Sequence, residues 1–245
     1  MVDSLALLSG IDIPAPELQL VIHQPIVEDI AFMEEDKFFM AVQYICLEKE
    51  QLIEDQNVSS SLNNFQVLMK VLEQTETPEK KLALVTLLSI IFPSYKAMIT
   101  PKSIILTNLD TKETKLIDEN NFEFLQSYLR QVFCVSSIFQ GDKVIYNPQG
   151  ENAKRIADKI MKNRKKIAEL KASNGKKESV LAKYLSILAV GLHIPFVELR
   201  KLTLYQLFDL IERFNLFTEW DIDLRVRLAG GEPKKEAENW MKNIH

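Results

Sequence analysis

Apolar residues recur at threes and fours along most of this chain and alternate in only a few short stretches, so the pattern predicts a mainly α-helical fold. Phe38, Phe39, Val42, Ile45, Cys46 and Leu52 predict one helix over 34–54, and a second is expected over 62–74. Thr77-Pro78-Glu79 offers an N-cap, a first-turn proline and an early acid. A third helix is expected from there to Phe92, where Pro93 stops it. Phe122, Leu125, Tyr128, Leu129, Val132 and Phe133 predict a fourth over 121–135. The first 27 residues hold Pro14, Pro16 and Pro25 with imperfect alternation, which reads as an extended arm or strand because proline disfavours the α region for its predecessor. Ile104-Ile-Leu-Thr and Thr114-Lys-Leu-Ile flank a polar turn, so a small β-hairpin is expected over 103–118.

Gly141, Asn147-Pro148 and Gly150 mark residues 141–152 as a linker between a helical domain over 28–140 and a second helical domain over 153–245. The second opens with a basic helix over 151–172, followed by the polar break 173–177. Residues 180–190 are apolar at nearly every turn and meet Gly191 and Pro195, an expected stop signal. Thr203-Leu-Tyr-Gln206 has the form of a capping box and opens a helix to Phe217, after which 220–228 reads as a further short helix. Gly230-Gly231 breaks the chain before an amphipathic segment over 234–244, where a helix would set Ala237, Trp240 and Ile244 on one face.

Composition agrees with a globular protein. The 245 residues are 47% hydrophobic and 26% charged, and seven glycines are too few for a turn-rich sandwich or barrel. The longest apolar stretch, 82–92, is about half of what a membrane-spanning helix needs, and the N-terminus lacks a basic leader, so a cytoplasmic location is expected. Cys46 and Cys134 each sit in an apolar helical pattern and are expected as buried free thiols. The net charge of −4 hides an asymmetry. Residues 17–55 hold ten acidic residues and two lysines, whereas 151–178 hold ten basic residues and four acidic ones. Such segregation steers charged partners, or the two regions toward each other.

A search for chemistry returns no catalytic, metal or cofactor site. His23, His193, His245 and the two cysteines have no ligand spacing, and the glycine-rich phosphate loops and nucleophile elbow are missing. Carboxylate pairs such as Asp221 and Asp223 read as a solvated face. The basic helix carries Lys154, Arg155, Lys159, Lys162, Arg164, Lys165 and Lys166, a candidate steering face, beside an apolar stripe that includes Ile156, Ile160 and Ile167. Nucleic acid is the lesser reading of that face, because the chain is acidic overall and the helix has no aromatics to stack on bases. Trp220, Arg225, Arg227 and Trp240 add candidate protein-binding positions, since aromatics and arginine dominate interface hot spots.

Two regions carry a resemblance. The run Leu199-Arg-Lys-Leu-Thr-Leu-Tyr-Gln-Leu-Phe-Asp-Leu-Ile-Glu-Arg-Phe, then Trp220-Asp-Ile-Asp-Leu-Arg-Val-Arg-Leu-Ala-Gly-Gly and the ending Glu238-Asn-Trp-Met-Lys-Asn-Ile-His, resemble small assembly proteins encoded among bacteriophage tail genes. The opening Ile13-Pro-Ala-Pro-Glu-Leu-Gln-Leu, Ile22-His-Gln-Pro and Glu34-Glu-Asp-Lys-Phe-Phe are similar to the same group. The resemblance implies a non-enzymatic tail-assembly chaperone or baseplate-hub assembly protein, made in the host bacterial cytoplasm, that engages a tape-measure or hub protein. A structural baseplate or tail subunit is the alternative, and a nucleic-acid binder using residues 153–171 is a more distant one.

Overall fold

The computed structural model describes residues 2–49, 62–73, 78–135, 179–232 and 237–241. Of these, 58% are helical and 12% lie in strands, arranged as two small antiparallel sheets. The fold is therefore mixed α/β, which corrects the expectation of a mainly α chain with an extended arm and a single hairpin.

The first correction lies in the proline-rich opening. A short helix α1 (Ser4–Ser9) is followed by strands β1 (Ile13–Ala15) and β2 (Leu20–Ile22), paired antiparallel with Pro14 opposite Val21. Pro14 is tolerated because it points to solvent on a strand with only one neighbour, while Ile13, Ala15, Leu20 and Ile22 turn inward. Buried Gln24 ties the hairpin to α1 by donating Nε2 to the carbonyls of Ala6 and Ile11, at 3.2 and 2.7 Å.

Helix α2 (Val27–Met33) gives way at Glu34, which has a φ of 71°, to α3 (Glu35–Cys46). Next come α4 (Asn64–Glu73) and α5 (Glu79–Ile91), the latter ending before Pro93. Phe38, Val42 and Ile45 of α3 meet Leu84, Leu87, Leu88 and Ile91 of α5 in the core, all fully buried.

The second correction is the sheet. Strands β4 (Ile104–Asn108) and β5 (Thr114–Ile117) form the expected hairpin, and β3 (Tyr95–Ile99) adds a third strand in the order β3-β4-β5. Residues 95–99 contain one lysine and one methionine among β-tolerant residues, directly after a helix stop, and alternate too briefly to stand out. Their inward row of Ile99, Ile104 and Ile117 is buried, with Met98, Ile105 and Leu116 on the outer face.

Helix α6 (Phe122–Val132) closes this part of the core through Phe122, Leu125, Leu129 and Val132, and Phe133 meets the Phe38 ring edge-on at 5.6 Å. Its polar face satisfies the C-terminal end of α3. Gln126 Nε2 donates to the Leu47 carbonyl at 3.0 Å and Arg130 Nε to the Cys46 carbonyl at 2.6 Å, two acceptors that the helix itself leaves open.

The C-terminal segment holds α7 (Val180–Leu192), α8 (Phe196–Leu199) and α9 (Leu204–Leu228). Two expectations fail here for physical reasons. Gly191 does not end α7; His193 takes the left-handed C-cap at φ 56°, and Gly191 instead lets the Phe214 ring of α9 approach, since a Cβ there would lie 2.4 Å from Phe214 Cζ. The expected pair of helices over 203–217 and 220–228 is one 25-residue helix, because no glycine or proline interrupts it. The linker 141–152 and the basic helix lie outside the described residues. Buried residues from both sides of that gap form one continuous core, from Val2 to Ile211.

Candidate protein-binding surface

Residues 179–232 are anchored to the rest of the chain by polar contacts at the helix starts. The Glu35 carboxylate accepts from the Ser179 hydroxyl and from the backbone N–H of Val180 and Leu181, at 2.9 and 3.3 Å for the last two. A carboxylate at a helix N-terminus satisfies open donors and opposes the helix dipole. Val27 and Glu28 donate their N–H groups to the carbonyls of Leu202 and Arg200, and Ile26 bridges Thr203, so α2 starts on the backbone that precedes α9. The α9 start is closed by the capping box, with Thr203 N–H to Gln206 Oε1 at 2.9 Å and Gln206 N–H to Thr203 Oγ1 at 3.3 Å. Gln206 Nε2 then reaches the Leu8 carbonyl at 2.8 Å.

From this foot, α9 runs about 37 Å at 1.5 Å per residue. Its first two turns bury Leu204, Tyr205, Leu207, Asp209 and Ile211. Arg213 lies 3.5 Å from the buried Asp209 carboxylate, one turn back. Burial, with the Asp209 charge adding to it, pushes the nearby Cys134 thiol up to about 12, and burial pushes Cys46 up as well. Both are free thiols and neither is poised as a nucleophile.

Beyond Ile211 no side chain of α9 is buried. Phe217, Trp220 and Trp240 form a ring cluster there, with centroids 5.5 to 6.4 Å apart, and the Arg213 guanidinium donates to the Trp240 carbonyl at 3.3 Å. Trp240 thus docks on α9 from a turn; of the segment expected as a helix over 234–244, the described residues 237–241 are not helical. Gly230 closes α9 at φ 79°, and the Gly231 N–H returns to the Val226 carbonyl at 2.9 Å. The Arg225 and Arg227 side chains pair with Asp221 and Asp223 one turn back, at 2.9 and 3.2 Å. Large apolar side chains remain outside: Val190 (77% exposed), Phe196 and Val197 around the α7–α8 corner, and Ile222, Leu224 and Leu228 (79% exposed) on α9.

The structure therefore brings Trp220, Arg225, Arg227 and Trp240 into one region. Ile156, Ile160 and Ile167 and the cations Lys154, Arg155, Lys159, Lys162, Arg164, Lys165 and Lys166 lie outside the described residues. Sequence reasoning missed Val190, Phe196 and Val197, for which spacing carries no signal of exposure. Leu224 and Leu228 were legible in principle, because they continue Phe217 at intervals of seven and four.

Elsewhere, His23 Nδ1 lies 2.8 Å from Asp12 Oδ1 at a cleft of about 370 Å³ that Pro14, Pro16, Tyr95 and Asn108 line. Both side chains are substantially exposed, which gives a solvated pair rather than an enclosed acid–base couple. Among the described residues no group of three His, Cys, Asp or Glu side chains is placed to hold a metal, and no helix is long and apolar enough to cross a membrane.

Residues 174–245 match the family described as YomV second domain, so this segment is similar to part of a phage-related protein. No curated protein and no solved structure matches the chain.

Proposed function

We propose that this chain is a non-enzymatic bacteriophage assembly protein that binds helical segments of a tail client, such as a tape-measure or hub protein, in the host cytoplasm. The observation that carries the reading is the exposure of Val190, Phe196 and Val197 at the α7–α8 corner, within the segment similar to a phage-related domain. Exposed apolar side chains at a helical corner are what an amphipathic client helix recognises. The resemblance of residues 199–214 and 220–231 to tail-assembly proteins points the same way.

Co-expression with the tail client tests it. The expected result is a co-eluting complex and a several-fold gain in client in the cleared lysate, both lost in a Val190→Ser/Phe196→Ser/Val197→Ser variant that keeps its melting temperature. A client recovered equally well alone, with no complex formed, would overturn the reading.

A further inference from the structure

The outer half of α9 has properties that client binding at the α7–α8 corner does not use. Over residues 212–228 the helix carries Glu212, Glu219, Asp221 and Asp223 against Arg213, Arg225 and Arg227, so it is almost neutral and offers little to a highly charged ligand. Phe217, Leu224 and Leu228 recur at intervals of seven and four, which sets them on one stripe of a 3.6-residue helix, each more than a third exposed. Along the edge of that stripe the charges are ordered, with Asp221 first and Arg225 one turn later. Arg225 is 76% exposed despite its intrahelical pair, so most of its guanidinium faces water.

Such an order is self-complementary in one direction only. When two copies of this helix run antiparallel about a two-fold axis near residue 223, Asp221 of each copy falls opposite Arg225 of the other. The same register brings Phe217 within one residue of the level of the second copy's Leu228, and sets the two Leu224 positions about 3 Å apart along the helix, on either side of the two-fold axis. A parallel pairing would place Asp221 beside Asp221 and Arg225 beside Arg225. Isologous contacts of this kind are the usual form of a dimer interface, and complementary flanking charges set the direction of paired helices.

We propose that the chain forms an antiparallel dimer through the outer half of α9, with Phe217, Leu224 and Leu228 as the apolar seam and Asp221 and Arg225 as the directional pair. One pair of helices this short buries less than the roughly 1,600 Å² of a standard interface, so the dimer belongs to the small, reversible class of contacts. The inference is independent of the client reading, because its seam lies on α9 and its test uses the chain alone.

Sedimentation equilibrium of the full chain over a hundredfold concentration range should show monomer giving way to dimer. Leu224→Glu should weaken dimerisation at least tenfold with an unchanged melting temperature. Asp221→Arg and Arg225→Asp should each be monomeric alone, yet form a heterodimer when mixed, since every cross-copy contact then joins opposite charges. Neither single variant keeps the intrahelical pair, so helix stability alone cannot produce that recovery. Two outcomes would overturn the proposal: a wild-type chain that stays monomeric throughout, as expected if only a client covers the stripe, or two folded variants that remain monomeric in the mixture.

Discussion

Residues 2–134 and 179–241 treat apolar side chains in opposite ways. Among the described residues the first region buries 37 hydrophobic side chains and leaves ten large ones exposed; the second buries seven and leaves ten exposed. Among the described residues the first region has two sheets and six helices to close a core on itself, whereas the second has three helices, held against that core by α7 and the foot of α9. Burial is the dominant favourable term in folding, so the first region supplies the stability. The second commits little of its apolar surface to folding and leaves the rest exposed. The same contrast recurs inside α9, whose first two turns are buried while the remainder has no buried side chain. An isolated helix of that remaining length is marginal in water, so its helicity depends on the anchored foot, on the intrahelical ion pairs and on Trp240 packing.

The largest effect that would break this comparison comes from paired truncations. Phe38 is fully buried, edge-on to both Phe39 and Phe133, and Phe38→Ala should cost about 3–5 kcal/mol. Leu228, at 79% exposed, should cost within about 0.5 kcal/mol of nothing when changed to alanine. Urea denaturation measures both. If Leu228→Ala destabilised the chain as much as Phe38→Ala, the division into a region that supplies the stability and one that contributes little to it would be wrong.

Much of the first region's helical content was legible in its spacing. Phe38, Val42 and Ile45 on α3, and Phe122, Leu125, Leu129 and Val132 on α6, face inward as periodicity requires. Local pattern could not show that Pro14 would sit harmlessly on the solvent side of a hairpin, nor that residues 95–99 would join a sheet. Both depend on neighbours distant in sequence. In the second region, the Thr203/Gln206 capping box was legible because its chemistry is local. Exposure of Phe196 and Val197 was not, because an apolar residue reads alike whether it meets a core or a partner.

Gly191 sharpens the point about distant neighbours, and its replacement should have the next largest effect. Read locally it ends a helix; in the structure it admits Phe214, whose ring a new Cβ would approach to 2.4 Å. Gly191→Ala should therefore destabilise the α7–α9 contact by about 1–3 kcal/mol, the usual cost of overpacking. Pairing it with Phe214→Leu should recover part of that loss, since the clash is removed. A helix-ending role alone would leave the double variant no better than the sum of its parts, which a thermal double-mutant cycle resolves.

The smallest expected effect concerns the ion pairs, which also differ between the regions. On α9, Arg225 and Asp221 belong to one helix, so their pairing holds no two elements together. Glu48, beyond the end of α3, instead receives a hydrogen bond from Arg130 of α6 and another from Asn64 of α4 at 2.9 Å, joining three helices. The Arg130 contact, reinforced by Asn64, holds the Glu48 carboxyl below its ordinary value of 4.5, while partial burial opposes the shift. A carboxyl whose folded pKa is depressed contributes stability that is fully present above the unfolded pKa and is lost as pH falls through the folded one. The contribution of Glu48 is therefore intact at neutral pH, begins to fall near pH 4.5 and is gone only once the pH is below the depressed folded value. The side chains of Arg130 and Glu48 are 31% and 44% exposed, so solvent screening limits the effect to under about 1 kcal/mol. Urea titrations from pH 7 to pH 3 should show Glu48→Gln less stable than wild type at neutral pH, with the gap narrowing as the pH falls below about 4.5. A constant gap across that range would mean that shape and hydrogen bonding, rather than charge, hold α3 to α6.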